Sequence, residues 1–326
     1  MHSWEGDPRQ PQPTPDFGNP ASGAGLQPDR SIDPKAGSWR VLFAIGAGIL
    51  LALVFATGKA NAAWEEIEHI LGLQGKPKPA SPGILSQHEI ESLDRQTPQA
   101  QAQLLLERAI NGYDGAGSQI AERAISWRGR LKLNPQLNSL ITTALNANDL
   151  RVRAAAIEVD LAALNIEKDS QTSDILVQQA ESGTRQQRVW ALWELGLLGN
   201  RGVDPKRAAE VLVAQLHDSN QEVRHWAVEG LAYLGTDDTI EPLLQAFHDD
   251  SSSMVRERAA CSLAQSGMLN EQQRRSAIPQ LLNFAEDSSL DAQTHGWVYQ
   301  ALRDITGQNL PSEPGAWRDW YRNSER

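Results

Sequence analysis

Two histidines stand beside aspartates at matching places in the chain, His217 before Asp218 and His248 before Asp249. Imidazole and carboxylate together are donors for a divalent metal. Both pairs, however, occupy the same position of successive repeats, and helix packing spaces equivalent atoms there about 10 Å apart. A metal needs its ligands about 2 Å away, so no metal site is expected. Cys261 is the only cysteine and sits among Ala259, Ala260 and Leu263. It excludes an intramolecular disulfide or a CxxC site and reads as a half-buried, inert thiol. The chain has no His-Glu-x-x-His, no Gly-x-Ser-x-Gly, no phosphate-binding Gly-x-x-x-x-Gly-Lys and no calcium-loop spacing. No catalytic residue and no cofactor is therefore assigned, and recognition is the chemistry left to consider.

Tryptophans carry that chemistry. Trp190, Trp226 and Trp297 each lie two residues after Arg188, Arg224 or His295, and Arg258 holds the equivalent place in the repeat between. At about 100° per residue this column is roughly 90° from the apolar stripe of its helices. It is either packing between neighbouring hairpins or the lip of a recognition groove. Trp193, one turn beyond Trp190, is expected to be an exposed aromatic anchor. With Glu229, Tyr233 and Tyr299 it would give the concave side a mixed aromatic and acidic character, suited to a peptide or protein segment.

The elements that position these residues repeat. Val152-Arg153-x-x-Ala156, Gln187-Arg188-x-x-Ala191, Val223-Arg224-x-x-Ala227 and Val255-Arg256-x-x-Ala259 recur with a period of about 35 residues. That period belongs to stacked helical hairpins, so the fold class is all-α, an α-solenoid. Breaks at Gly115 to Gly117, Asn148-Asp149, Ser182-Gly183, Asp218 to Asn220 and Asp249 to Ser253 divide the chain. They predict hairpins over 134–146 with 149–164, 170–182 with 184–198, 204–217 with 220–234, 238–248 with 252–266, and 270–286 with 290–305. Residues 86–131 are expected to form three less regular helices that cap the first hairpin. Val223, Ala227, Gly230, Leu231 and Leu234 share one stripe, and its small residues let the partner helix come close. Arg224 and Arg256, each six residues after a turn aspartate, fit arginine forks that bridge the turns of neighbouring hairpins.

The run from Asp218 through Val223-Arg224-x-x-Ala227 to Leu231, Leu234 and Gly235 resembles the bacterial HEAT-like repeat, a type also found in phycobilisome lyases. The resemblance covers about residues 132–307, and it implies an interaction surface. Through the lyases it also implies an alternative, a protein that binds a chromophore and attaches it to a client. Gln187 and His295 depart from the pattern and put an unbroken arginine ladder in doubt. The tail 308–326, with Thr306-Gly307-Gln308-Asn309 before it and Trp317 and Trp320 within it, is similar to the closing segment of many bacterial HEAT-repeat proteins. It is expected to act as a lid, with Ser312 capping a short helix whose two indoles cover the last hairpin.

The amino-terminal quarter is of another kind. Residues 1–40 hold seven prolines and five glycines and are expected to be disordered. Residues 41–58 follow with an uncharged apolar run to Thr57, roughly 26 Å of helix and close to a bilayer's hydrocarbon thickness. Arg30, Lys35 and Arg40 precede it, whereas Glu65, Glu66 and Glu68 follow, so a cytoplasmic amino terminus and an extracytoplasmic repeat domain are expected. Ala60-Asn61-Ala62 resembles a signal-peptidase site, and cleavage there would release the repeats as a periplasmic or secreted protein. Residues 59–85, rich in glycine and proline, read as a flexible linker. With 326 residues, 40% of them hydrophobic, and a net charge of -11, the chain has material for a sizeable core. It has no basic face for nucleic acid.

Overall fold

The computed structural model describes residues 83–324. The expected tail 1–40, the apolar run 41–58 and the linker up to residue 82 lie outside the described residues. Among the described residues no helix is long and apolar enough to cross a membrane.

The described chain is helical apart from an isolated bridge between Ile84 and Asp114. Three helices come first: α1 (Gln87–Leu93), α2 (Pro98–Ile110) and α3 (Ala116–Trp127). Five hairpins follow: α4 (Pro135–Leu145) with α5 (Leu150–Ala163), α6 (Ser170–Ser182) with α7 (Arg185–Asn200), α8 (Pro205–Gln215) with α9 (Gln221–Leu234), α10 (Ile240–Asp249) with α11 (Ser253–Ala264), and α12 (Glu271–Ser276) plus α13 (Ile278–Glu286) with α14 (Ala292–Thr306). A last helix, α15 (Pro314–Ser324), closes the stack.

Short polar side chains set where these helices start. Asn134, Asp149, Asp169, Thr184, Asn220, Asn270 and Asp291 each accept a hydrogen bond from a backbone N–H of the first turn that has no partner within the helix. Gly235 and Gly307 end α9 and α14 in the left-handed conformation that a residue with a Cβ resists. The first helix of the fifth hairpin is broken in two, because Pro279 lacks an N–H and its ring would collide with the preceding turn of a continuous helix.

The arginine forks are present. Arg224 donates to the carbonyl of Asp218 at 3.0 Å and, through Nε and Nη2, to both carboxylate oxygens of Asp250 at 2.8 and 3.0 Å. Arg256 donates to the carbonyl of Asp250 and the carboxylate of Asp291, each at 2.8 Å. Arg188 pairs with Asp218 despite its departure from the repeat pattern. Each fork ties the turn of one hairpin to the turn of the next.

The ladder breaks at Arg153 instead. This buried guanidinium donates to its own turn, Ala147, at 2.5 Å, and also to the carbonyl of Gly267, beyond the end of α11. Helix α5 therefore turns away from the register of the stack. Ten of its fourteen residues are buried, with α3 and α4 on one side and residues of α7, α9 and the loop after α11 on the other. Leu197 and Tyr233 belong to the same apolar cluster as Val152 to Ala162, and Trp193 and Met268 pack against it. A second cluster runs from Leu176 through the remaining hairpins to Trp317.

The lid forms with one change. Trp317 is fully buried and donates its indole N–H to the carbonyl of Pro311 at 2.9 Å. Arg318 ties the helix to Glu286 through two hydrogen bonds of 2.8 and 3.0 Å. Ser312 lies too early to cap α15, since Pro314 takes the first helical position. Its hydroxyl accepts from Arg303 at 2.9 Å instead.

Candidate interaction ridge

The second helices of the hairpins, α7, α9, α11 and α14, bury one stripe against their first helices and turn the opposite stripe inward. On α9 the inner stripe is Glu222, His225, Trp226, Glu229 and Tyr233, spaced three and four residues apart. Exposure falls along it. Glu222 is exposed, His225 and Trp226 are half-buried, and Glu229 and Tyr233 are buried. Helix α5 and the loop at Gly267-Met268 cover the carboxyl-terminal half of this face, so the part left open lies toward the helix starts.

The expected anchor set divides accordingly. Trp190, Trp226 and Trp297 are half-buried, each resting on the core with part of its ring uncovered. Met254, 55% exposed, stands on the same face of α11. The indole N–H of Trp190 is buried without a partner among the described residues. Trp193 is half-buried rather than exposed. Its ring meets Tyr233 edge-on at 4.7 Å and Trp226 at 5.9 Å, and it hydrogen-bonds the carboxyl of Asp160. Tyr233 and Tyr299 are buried in the two cores and do not contribute to an open surface. Burial pushes both phenols above their ordinary value.

Glu229 is buried too, which removes the acidic character expected of this side. Arg258 neutralises it through contacts of 2.5 Å from Nε and 2.7 Å from Nη2, a two-pronged pairing that joins α11 to α9. Burial works against the charge on Arg258, but the groups around it, Glu229 foremost and then Cys261 and Tyr233, together outweigh it and the guanidinium is held above its usual range. His225 is 3.8 Å from Glu229, and burial lowers its pKa, so the ring is neutral at pH 7. Cys261 is half-buried, with Arg258 Nη1 at 3.8 Å from its sulfur.

Two residues of the inner face went unread in the sequence, and a third, Arg153, was read only as the arginine of its repeat. Asp160 and Arg153 face inward from α5, and Arg274 collects the carbonyls of Ser262, Leu263, Gln265, Ser266 and Leu269 at the end of α11. Burial, with Arg153 nearby, lowers Arg274 to about 10. A signal for Asp160 was present. Val152 to Ala163 is apolar nearly all round, and a helix of that composition is enclosed on every side, so its carboxylates had to be buried.

Away from the ridge, a cleft of about 410 Å³ lies between the α2–α3 turn and α5, lined by Tyr113, Asp114, Gly117, Arg151, Glu158 and Arg201. Arg151 pairs with Asp149, and Lys168 and Arg201 pair with Glu158. His248, the histidine of the discarded metal pair, donates or accepts at Asp249 (2.5 Å) and Asp287 (3.0 Å), and so joins the fourth hairpin to the fifth.

Comparison with known proteins agrees with the repeat pattern. Residues 173–264 match the family model for HEAT repeats. No curated protein matches the chain. Among solved structures it is similar to an engineered protein, at 16% identity and a TM-score of 0.33 over 64% of this chain and 96% of that one. It is also similar to a designed armadillo repeat protein in complex with the peptide (KR)4, at 19% identity and a TM-score of 0.30 over 68% and 95%.

Proposed function

We propose that this protein is a membrane-anchored, non-enzymatic scaffold that offers the open part of its inner face to a peptide or protein segment. HEAT-type hairpin repeats suggest a protein-interaction role in general, because stacked hairpins create long surfaces rather than enclosed reaction chambers. The observation that carries the reading is the ridge of Trp190, Trp226 and Trp297, half-covered indoles on a face that also exposes Met254. Partly exposed indoles are the side chains most enriched among residues that dominate binding energy. The apolar run 41–57 and the charge difference across it support an anchor with the repeats outside the cytoplasm. A tether after the anchor would raise the local concentration of the ridge near other membrane proteins.

Photo-crosslinking in whole cells, followed by membrane fractionation, tests this. A photoreactive residue in place of Met254 on the inner face is expected to capture a defined protein, and one in place of Ile175, exposed on α6, is not. W190A and W226A together should abolish the capture. Equal capture from both positions would overturn the ridge, and recovery of the intact chain in the soluble fraction would overturn the anchor.

A further inference from the structure

The face that α5 turns toward the repeats carries two ionisable groups two helical turns apart, Arg153 and Asp160, and both are more than nine-tenths buried. An apolar side chain at either place would have sealed the contact at less cost, since burying an ionised group is expensive unless it is paired. Neither has a salt-bridge partner among the described residues. Arg153 is held by backbone carbonyls, and Asp160 by the indole of Trp193 on α7. Around this contact stand Tyr233 and Glu229 on α9, Arg258 on α11, Glu194 on α7 and Arg274 on α12. Arg258 pairs with Glu229, and Arg153 and Arg274 donate to backbone carbonyls.

We propose that the contact between α5 and the inner face is a proton-gated joint, closed while the Asp160 carboxyl keeps its proton and loosened when that proton leaves to solvent, which frees the Trp193 ring. Three features converge on it. Asp160 lies buried where α5 meets α7, and Trp193 packs against the same apolar cluster. Trp193 links the carboxyl to Trp226, so movement at Asp160 reaches the ridge. Burial also pushes Asp160 up to about 7, against the lowering effect of the Trp193 hydrogen bond, which places the change in the neutral range. The joint is read on the protein alone, so its test does not depend on whether the ridge binds a partner.

Hydrogen exchange on the full-length protein, corrected for the intrinsic pH dependence of amide exchange, measures the joint. Between pH 6 and pH 8 the protection of peptides from residues 150–163 and 186–200 is expected to fall about tenfold, while peptides from α15 stay constant. D160N, which keeps the shape but holds no ionisable proton, should remain protected across the range. W193F, which keeps a ring but loses the N–H that favours the ionised form, should move the midpoint to higher pH. A fall in D160N equal to that of the wild type, or no fall in the wild type, overturns the joint.

Discussion

Arg224 shows what one residue can decide in a repeat protein. Its guanidinium reaches back to the carbonyl of its own turn and forward to the carboxylate of the next, so two hairpins are fixed by one planar fork. Arg153 makes the same backward bond, but the next turn, Ser182-Gly183-Thr184, holds no aspartate, and the free end of the fork goes to Gly267 instead. His248 makes a second kind of link, between Asp249 and Asp287 and against the ring of Phe284. Partial burial works against its charge, but the two carboxylates win and raise its pKa above 6.5. Hydrogen bonds from Ser289, then from His248, lower Asp287 to about 2. The histidine's contribution is therefore complete below about pH 6.5 and is lost as pH rises through its raised value. That of Asp287 is present above 3.8 and is lost as pH falls toward 2. H248Q is expected to lower the melting temperature by about 2 °C at pH 5.5, the scale of a partly exposed ion pair. By pH 9 the difference from the wild type should shrink. Equal differences at both pH values in differential scanning calorimetry would show the link to be packing rather than charge.

At the scale of elements, α7 and α9 approach each other closely, and glycine permits it. A Cβ at Gly196 would strike the backbone of Gly230, and a Cβ at Gly230 would strike the carbonyl oxygen of Leu192 and the side chain of Leu212. The repeat's small residues were legible as a device for bringing a hairpin's two helices together, and the contact of Gly230 with Leu212 on α8 fits that. The contact with Leu192 on the neighbouring hairpin was not legible, because the register between hairpins is set by the forks and not by either helix. G230A is expected to cost about 2 kcal/mol, as overpacking against backbone usually does, or about 6 °C in melting temperature for a domain of this size. G117A, where an added Cβ meets nothing within 4 Å, should be neutral or slightly stabilising through helix propensity. If both substitutions gave the same melting temperature, the close approach would not matter to stability.

For the molecule as a whole, periodicity and turn residues revealed the hairpins but not the path of α5. Local signals such as Asn220 before α9 or Gly235 after it act within a few residues and can be read from them. The bond from Arg153 to Gly267 joins positions far apart in the chain, and nothing local encodes it. The same blindness made Trp193, Glu229 and Tyr233 look available. Their spacing places them on the inner face correctly, but the cover over that face comes from another part of the chain. Residues 83–165 are then more than an end cap, because they supply the surface that keeps Leu197 and Tyr233 dry and packs against Met268. A fragment of residues 166–324 retains four hairpins and the lid, so it should remain helical by circular dichroism, since each repeat is stabilised mainly by its neighbours. It would also expose a contiguous apolar patch along α7 and α9, of the kind that drives association. Compared with residues 83–324 at the same concentration, the fragment is expected to bind an environment-sensitive dye and to elute from a sizing column as larger species. L197S and M268S introduced together should restore the smaller size. A fragment that stays monomeric and leaves the dye dark would mean that α5 only lies beside the inner face, and the ridge would then extend over its full length.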